Sequence, residues 1–414
     1  MRCIAVAILL FVAGFAEAAD PPEDTNQIKT LTASRARLLA ALYGIEKLSL
    51  NGLTELSPDV AAALAQHKGS LYLDGLAELS PEVAAALSQY KGRWMSLEGI
   101  TKVSRDVAVA LSPQECSLAL GGRDNLSLSP EGEAELARHK GRLYLNRLTA
   151  LTSPALAAKI VDDALGQKMF LVHLAVLSPE AEKELARHKG QLFLGSIQAL
   201  ESPDLAQKIV AGNAGKNITF ENLAKLSPQA ATALATHQES LFLNGLTAIS
   251  PEVAEALAQH KGYELQLNGL ATLSPRVAAA LAQHKQKLSF NRLTAISPEV
   301  AEALAQHDSI QAELELNGVT TLSDKAALAL SKVGSSLNLN GLTTLSPEVA
   351  ESLAQHKGSL QLNGLSTLSA ESAESLAQHK GVLTLKGLTT LSEEAWVPLL
   401  LNENIFLPKK FKRR

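Results

Sequence analysis

The sequence predicts an α/β solenoid, a right-handed coil of about fifteen strand–turn–helix repeats with a parallel sheet on its concave side. Three observations support this fold class. The pattern L-x-L-x-G-L-x-x-L-S-P returns at spacings of 23 to 26 residues, which is typical of stacked repeats. Each copy opens with period-2 alternation, as in Leu337-Asn338-Leu339-Asn340, which predicts a short strand with its leucines inward. Each copy closes with a segment that carries the start and stop signals of a helix. The repeats begin near Leu48, Leu71, Met95, Leu118, Leu143, Met169, Leu192, Ile218, Leu241, Leu265, Leu288, Leu314, Leu337, Leu360 and Leu383.

Within each repeat, the polar residues are predicted to set the boundaries of the helix. In the copy from Leu339 to Gly358, Ser346 is suited to the N-cap and Pro347 to the first helical position, where a missing N–H costs nothing. Gly358 follows the helix, where a left-handed glycine would stop it. The serines, glutamates, histidines and lysines of the repeat are therefore interpreted as helix punctuation and not as a copied reactive site.

Nine of the ten histidines, including His67, His139, His188, His260 and His356, occupy the equivalent position at a helix end. We expect them to be solvated there, because neighbouring packed helices lie about 8–10 Å apart, too far for two rings to share one metal ion. Surface metal binding is the alternative. The tenth, His173, stands at the usual glycine position of its repeat. It is interpreted as an unusual turn residue, with a ligand or catalytic base as the alternative.

The chain is predicted to consist of five parts, which follow from its composition along the sequence. The start has a basic Arg2, an apolar run and then Ala16-Glu17-Ala18, which indicates a cleaved signal and a secreted, periplasmic or cell-envelope protein. No later run is long enough to predict a transmembrane segment. Cys116 is then the one cysteine of the mature chain, interpreted as a buried apolar residue with a reactive thiol as the alternative. The parts are the signal peptide at 1–19, a linker and helical cap at 20–47, the solenoid at 48–391, a C-terminal cap at 392–408 and a basic tail at 409–414.

The repeat resembles that of the leucine-rich-repeat family over roughly Leu48 to Leu391. It is closest to the cysteine-containing subclass, with Leu342 at the cysteine position and Leu353-Ala354 at the helical Leu-Ala. The units are also similar to the near-identical tandem repeats of secreted bacterial proteins of the planctomycete type. The resemblance implies the solenoid fold and a binding surface, with partners that differ from one member to the next.

No established catalytic signature is present in the sequence. It contains no H-E-x-x-H, G-x-S-x-G, C-x-x-C or G-x-G-x-x-G motif, and "GNAGKN" lacks the spacing of a phosphate-binding loop. The formal net charge of −4 gives no reason to expect a specific nucleic-acid partner. We therefore predict no enzymatic activity, no cofactor and no metal.

Two groups of outward-facing strand residues are the candidate binding residues. Aromatic side chains at the first outward position form a predicted recognition patch, with cross-strand packing as the structural alternative. Asparagines at the second outward position form either a ladder in which amides bond to one another or a polar strip for a glycan or peptide. The aromatic residues are Tyr144, Phe170, Phe193 and Phe242, and the asparagines are Asn244, Asn268, Asn291, Asn317, Asn340 and Asn363.

The sequence favours a secreted, non-enzymatic binding or scaffold protein that recognises a protein, peptide or glycan on its concave face. A purely structural spacer of the envelope or cell surface is the alternative, because near-identical repeats offer few unequal neighbours. The tail from Lys409 to Arg414 carries five positive charges, which favour either a solvated end without a partner or attachment to an anionic surface.

Overall fold

The computed structural model describes residues 24–307 and 312–411. Contacts divide the chain into two compact units, Met1–Leu194 and Gly195–Arg414, which are described separately below as the N-terminal unit and the C-terminal unit. The predicted signal peptide and residues 412–414 lie outside the described residues. The prediction of one continuous array from 48 to 391 therefore stays a prediction.

Short strands and short helices alternate through the N-terminal unit, as the repeat pattern predicts. The strands are β1 (Lys47–Ser49), β2 (Ser70–Tyr72), β3 (Trp94–Leu97), β4 (Lys102–Val103), β5 (Ser117–Leu120), β6 (Ser127–Leu128), β7 (Leu143–Leu145), β8 (Ala150–Leu151), β9 (Met169–Phe170), β10 (Val176–Leu177) and β11 (Leu192–Phe193). The helices are α1 (Ala33–Tyr43), α2 (Pro58–Leu64), α3 (Pro81–Leu87), α4 (Arg105–Leu111), α5 (Pro130–Leu136), α6 (Pro154–Asp163) and α7 (Pro179–Ala186).

The C-terminal unit continues the alternation with greater regularity. Its strands are β12 (Ala199–Leu200), β13 (Ile218–Thr219), β14 (Lys225–Leu226), β15 (Leu241–Phe242), β16 (Glu264–Gln266), β17 (Lys287–Ser289), β18 (Glu313–Glu315), β19 (Ser336–Asn338), β20 (Leu360–Gln361), β21 (Leu383–Thr384) and β22 (Ile405–Phe406). Its helices are α8 (Pro203–Gly212), α9 (Pro228–Leu234), α10 (Pro251–Leu257), α11 (Pro275–Leu281), α12 (Pro298–Leu304), α13 (Asp324–Leu330), α14 (Pro347–Ala354), α15 (Ala370–Ala377) and α16 (Glu393–Leu401).

All fifteen predicted strands are present and pair in parallel, but not as one ladder. The N-terminal unit has a five-stranded sheet in the order β1-β2-β3-β5-β7 and a separate β9–β11 pair. The C-terminal unit has a nine-stranded sheet from β13 through β15 to β22. The irregular repeats add second strands after the turn, which pair as β4–β6, β8–β10 and β12–β14. The fold class is confirmed as an α/β repeat solenoid. The prediction of a single sheet is wrong, because the strands form several separate sheets.

The first sheet ends at β7 because the following helix differs from its neighbours. Helix α6 has ten residues, whereas α5 has seven. Its last residue, Asp163, accepts a hydrogen bond from the backbone N–H of Leu143 at 2.8 Å. The carboxylate thus occupies part of the β7 edge that β9 would otherwise use. Lys159 neutralises it at 2.8 Å and also donates to the carbonyl of Gly141 at 2.8 Å.

Leucines fill the interior, as the period-2 pattern predicts. In the repeat that begins at β19, Leu337, Leu339 and Leu353 are fully buried. The Oγ of Ser346 accepts the backbone N–H of Val349 at 3.2 Å, which confirms the predicted N-cap. The prediction that Gly358 stops the helix in a left-handed conformation is wrong, because Gly358 is not among the positive-φ residues of the described chain. Glycine after the helix instead permits close approach, since a Cβ on Gly69 would lie 1.9 Å from the carbonyl oxygen of Glu46.

The helix-end histidines are buried, and the prediction that they are solvated is wrong. His284 and His307 have 0% exposure, and the other seven have 1–2%. The ring of His139 shows the arrangement, with Nδ1 3.0 Å from the carbonyl oxygen of Leu111 and Nε2 2.9 Å from that of Cys116. The helix is only about two turns long, so its end still faces the backbone of the preceding repeat, which offers carbonyls that need a donor. The buried set is His67, His139, His188, His237, His260, His284, His307, His356 and His379.

Both ends of the array carry caps that the sequence pattern only partly revealed. At the start, the Oδ1 of Asn26 accepts the backbone N–H of Asn51 at 3.2 Å, so residues assigned to a linker cover the edge of β1. At the other end, β22 pairs with β21 and completes the nine-stranded sheet of the C-terminal unit. The indole N–H of Trp396 donates to the carbonyl of Phe411 at 2.9 Å, which holds the start of the basic tail against α16.

Candidate functional site

We use the term strand face for the surface formed by outward residues of the main-sheet strands. The first outward row lies between the two inward leucines of a repeat, as Asn338 does between Leu337 and Leu339. The second outward row follows the second leucine, as Asn340 does. The predicted aromatic residues belong to the first row and the predicted asparagines to the second.

On the N-terminal unit, aromatic rings project from β7, β9 and β11, the first strands of three consecutive repeats. Phe170 is 56% exposed and Tyr144 is 36% exposed, whereas Phe193 is half-buried. The rings of Phe170 and Phe193 stack with centroids 4.7 Å apart and planes 5° from parallel. Phe242 belongs to the C-terminal unit, where it is half-buried in β15 and paired in register with Thr219 and Gln266.

Trp94 is a fourth aromatic residue of this face that sequence reasoning missed. Its ring lies 5.0 Å from that of Tyr144, tilted by 51°. The intervening strand β5 carries the small residues Ser117 and Ala119, in register with Trp94 and Tyr144 respectively, so the indole can reach across it. Trp94 precedes the first inward residue of its repeat, a position outside the two rows that the pattern singles out. Its indole N–H is buried without a hydrogen-bond partner in the described structure.

The four rings therefore form two pairs on either side of the point where the first sheet ends. Trp94 and Tyr144 lie on the five-stranded sheet, and Phe170 and Phe193 lie on the β9–β11 pair. We call these four residues the aromatic face. Two exposed basic side chains, Arg142 and Lys168, immediately precede the inward residues of β7 and β9. The surface thus joins exposed flat rings with positive charge, and large exposed apolar groups are often sites of interaction.

On the C-terminal unit, all six predicted asparagines lie in the turns directly after neighbouring strands, but their bonding differs from the expected amide–amide ladder. Each Oδ1 accepts the backbone N–H of the residue at the same position in the next repeat. From Asn244 to Asn363 these N···O distances are 3.2, 2.8, 3.2, 3.2, 2.8 and 2.9 Å, the last to Lys386. Among the described residues, one bond joins two of the asparagine amides, from Nδ2 of Asn340 to Oδ1 of Asn317 at 2.9 Å.

The donors of these bonds are backbone N–H groups in the turn after each strand, where the neighbouring strand supplies no carbonyl acceptor. A half-buried N–H without an acceptor would cost about 1–3 kcal/mol. The same bonding occurs at the start of the N-terminal unit, from Asp74 to Asn51 at 2.8 Å and from Glu98 to Asp74 at 3.0 Å. Sequence reasoning missed these members, although the second-row position of Asn51 in "LSLNGL" was a usable signal.

A charged network occupies the first row and its margin on the C-terminal unit. The Lys287 amine lies 2.8 Å from Glu315, 3.3 Å from Glu264 and 3.7 Å from Glu313. Ser289 donates to Glu315 at 2.8 Å. Burial works against ionisation of Glu315, but its hydrogen bonds with Lys287, Ser289 and Asn291 together with the charge of Lys287 outweigh burial and lower its pKa. The polar groups of this face are thus largely partnered within the chain.

The remaining candidates have structural surroundings. Cys116 is 3% exposed, and burial raises the pKa of its thiol to about 11, which does not favour a reactive thiolate. His173 lies half-buried in the turn after β9. In residues 24–307 and 312–411, no group of three or more His, Cys, Asp or Glu side chains is arranged to hold a metal ion. Within the same residues, no helix has the length and apolar character needed to cross a membrane.

Fifteen repeats with inward leucines, parallel main strands, short capped helices and an amide ladder define the architecture. The chain has a leucine-rich-repeat fold. No protein-family model matches the sequence, and no curated protein matches it. Among solved structures, an LRR protein of Leptospira interrogans matches with 17% identity over 92% of this chain and 99% of its own, with a TM-score of 0.33.

Two further structural matches are complexes. The Toll–Spätzle complex of Drosophila matches with 13% identity over 95% of this chain and 49% of that chain, with a TM-score of 0.37. The Rad7–Elc1 complex of yeast matches with 13% identity over 98% of this chain and 91% of that chain, with a TM-score of 0.24.

Proposed function

We propose that the chain is a non-enzymatic binding protein and that the aromatic face of its N-terminal unit recognises the ligand. The observation that carries this proposal is the exposed ring of Phe170, stacked on the half-buried Phe193 at the place where the five-stranded sheet ends. Stacking alone would explain a pair of covered rings, but it does not explain why Phe170 keeps 56% of its surface in water. Exposed rings that are already held in place lose little freedom on binding, which favours affinity.

The ligand class follows from the chemistry of this surface. Arg142 and Lys168 stand exposed beside the rings and would attract carboxylates. Phenylalanine has no hydrogen-bonding group, whereas a sugar site needs polar groups directed at the hydroxyls. We therefore favour a protein or peptide segment that combines apolar side chains with acidic ones. A glycan is the competing ligand class, and the test below separates the two.

We further propose that residues 1–19 direct export and are then removed, so that the protein acts outside the cytoplasm. The support is the basic start, the apolar run and the small residues of the leader. Intact mass of the protein recovered from culture medium or envelope should correspond to a chain that begins at Asp20. A mass that retains the leader would contradict export by cleavage.

A structural spacer is the second candidate function, and one observation favours it. On the C-terminal unit the asparagine ladder and the Lys287 network use most of their hydrogen-bonding capacity inside the chain. Such a face contributes stiffness without needing a ligand. The anionic-surface role of the basic tail has less support, because Lys410 donates to the carbonyl of Thr389 at 2.5 Å and Phe411 is held by Trp396.

The proposal is tested by probing a random peptide array and a glycan array with the mature chain. The Tyr144→Ser, Phe170→Ser, Phe193→Ser triple variant is compared with a Gln266→Ser variant, which changes the first row of the C-terminal unit. We expect acidic, aromatic-rich peptides to bind the wild type and the Gln266→Ser control, with at least about tenfold weaker binding to the triple variant. Binding by glycans alone would replace the ligand class. No binding on either array, or equal binding by the triple variant, would favour the spacer.

A further inference from the structure

Six of the nine buried helix-end histidines lie in the C-terminal unit, where Val333 interrupts the series once between His307 and His356, and we call the six the histidine column. Each is at most 2% exposed, and each follows the helix of its own repeat. The rings of His260 and His284 stack with centroids 5.7 Å apart, and those of His356 and His379 with centroids 6.2 Å apart. The column consists of His237, His260, His284, His307, His356 and His379.

Four of the six rings lie within hydrogen-bonding distance of a carbonyl oxygen of the preceding repeat, whereas both ring nitrogens of His284 and of His356 are without a hydrogen-bond partner in the described residues. Nε2 of His237 lies 2.8 Å from the carbonyl oxygen of Lys216, and Nε2 of His260 lies 2.9 Å from that of Glu239. Nε2 of His307 lies 3.2 Å from that of Gln286. A neutral imidazole can donate one hydrogen bond to such a carbonyl, and it thereby joins two consecutive repeats behind the helix layer.

The titratable groups that face the column are largely other members of the column. His284, after α11, is faced by His260 from α10 and by His307 from α12. His260 is faced by His237, after α9. His356, after α14, is faced by His379 from α15, while backbone carbonyls contribute the remaining contacts to both. A protonated ring is therefore poorly hydrated, and its charge disfavours protonation of the adjacent ring.

Burial and the neighbouring rings lower the pKa of His260 and His284 from 6.5 to about 4. Burial also lowers the pKa values of His356 and His379. At neutral pH these rings are consequently uncharged; His260 and His379 bond to the preceding repeat, and His284 and His356 pack as buried neutral rings against their neighbours. In an opened chain the same rings would regain their ordinary affinity for protons.

We propose that the histidine column is an acid-sensitive latch, in which protonation separates consecutive repeats of the C-terminal unit. The inference rests on the geometry of the column and does not depend on the aromatic face. Other repeats show that the position can be filled without a titrating imidazole. Gln114 donates to the carbonyl of Leu87 at 2.7 Å, and the hydroxyl of Tyr90 donates to that of Gly69.

The direction of the effect follows from proton linkage. Above pH 6.5 the closed and opened forms both carry neutral rings, so the latch is fully stable. As the pH falls from 6.5 towards 4, only the opened form binds protons, and the closed form is progressively disfavoured. For a ring whose pKa falls from 6.5 to about 4, the opening constant should rise about 60-fold between pH 7 and pH 4.5.

The test uses hydrogen–deuterium exchange of the full chain between pH 7 and pH 4.5, corrected for intrinsic exchange rates. The His260→Gln, His284→Gln double variant places at both sites the amide that Gln114 supplies in the N-terminal unit. In the wild type, the opening constants around β16 and β17 should rise by at least about 100-fold more than in the double variant. The matched control His173→Gln, outside the column, should behave like the wild type. An equal rise in the wild type and the double variant would overturn the latch.

A second measurement decides the matter if the double variant does not fold. Proton NMR titration of the wild-type imidazoles should show at least two rings that titrate near pH 4 while the fold is retained at higher pH. Titration of every ring near pH 6.5 in the folded chain would overturn the proposal.

Discussion

The strand faces of the two compact units carry different chemistry on the same repeat. In the C-terminal unit, Asn268, Asn291 and Asn317 each accept the backbone N–H of the next repeat, so the face repeats one arrangement. In the N-terminal unit the sheet ends at β7, and Tyr144 and Phe170 project from either side of that end. Repeats that keep a regular register supply partners for one another, whereas a break in the register leaves side chains exposed.

This difference suggests a division of roles between regular and irregular repeats. A ladder bond forms when an asparagine or aspartate side chain meets the backbone N–H of the next repeat in register, so a regular register favours internal satisfaction. Where α6 is extended and Asp163 reaches Leu143, the register with the next strand is lost. Irregularity therefore creates the sites where a ligand can find unsatisfied surface.

The largest expected effect compares two leucines at the same repeat position. Leu339 is fully buried in the C-terminal unit, whereas Leu194 is only partly buried at the end of the N-terminal unit. Leu339→Ala should lower the free energy of unfolding by about 2–5 kcal/mol, because it leaves a cavity in a packed core. Leu194→Ala should cost distinctly less. Urea unfolding followed by circular dichroism measures both, and equal losses would remove the distinction between the regions.

The asparagine ladder provides the next comparison. Asn317→Ala removes the acceptor of the backbone N–H of Asn340 and should destabilise the chain by about 1–3 kcal/mol. Asn146→Ala alters the equivalent but exposed position of the N-terminal unit and should change stability by no more than about 0.5 kcal/mol. Urea midpoints of both variants give the difference. Similar small values would mean that the ladder is incidental to stability.

The Lys287 network should show a pH dependence that the aromatic face lacks. Lys287→Met leaves three neighbouring carboxylates without their cation, which should cost about 1–2 kcal/mol at pH 7 after allowance for partial exposure. Lys287 helps to lower the pKa of Glu315 below its usual 4.5 in the folded chain. Its contribution is therefore present above pH 4.5 and is lost as the pH falls through that lowered pKa. Unfolding at pH 7 and pH 3 checks this, and a constant difference between wild type and variant would contradict it.

The smallest stability effect is expected on the aromatic face itself. Phe193→Ser removes the stack with Phe170 and should cost only about 0.5–1.5 kcal/mol beyond the loss of apolar burial. Its effect on ligand binding should be larger than its effect on stability. Thermal unfolding and array binding of the same variant compare the two. A variant that unfolds readily but keeps its ligand would reverse the assignment of the rings to binding.

Much of the fold could be predicted because residues within each repeat mark the boundaries of its strand and helix. Ser346 and Pro347 identify a helix start, and Leu337 and Leu339 identify an inward strand face. The break after β7 could not be predicted, because it depends on a long-range contact between Asp163 and Leu143. The burial of the histidines was also missed, since their sequence position indicates a helix end but not the carbonyls that face it from the preceding repeat.

The candidate site was only partly predictable for a similar reason. Period-2 alternation correctly identifies Tyr144 and Phe170 as exposed residues of adjacent repeats. It does not reveal Trp94, whose contact with Tyr144 depends on small residues in the strand between them. The direction of the asparagine bonds was missed because their acceptors and donors are set by backbone register rather than by residue type.

Fluorescence of Trp94 tests the central claim most directly, because this residue contacts Tyr144 within the aromatic face. The chain has two tryptophans, so Trp396→Phe leaves Trp94 as the single reporter. Titration of this variant with the strongest array ligand should produce a saturable change in Trp94 emission, lost when Tyr144, Phe170 and Phe193 are replaced by serine. Saturable binding that leaves Trp94 emission unchanged and is abolished by Gln266→Ser would contradict the account, because the ligand would then occupy the C-terminal face.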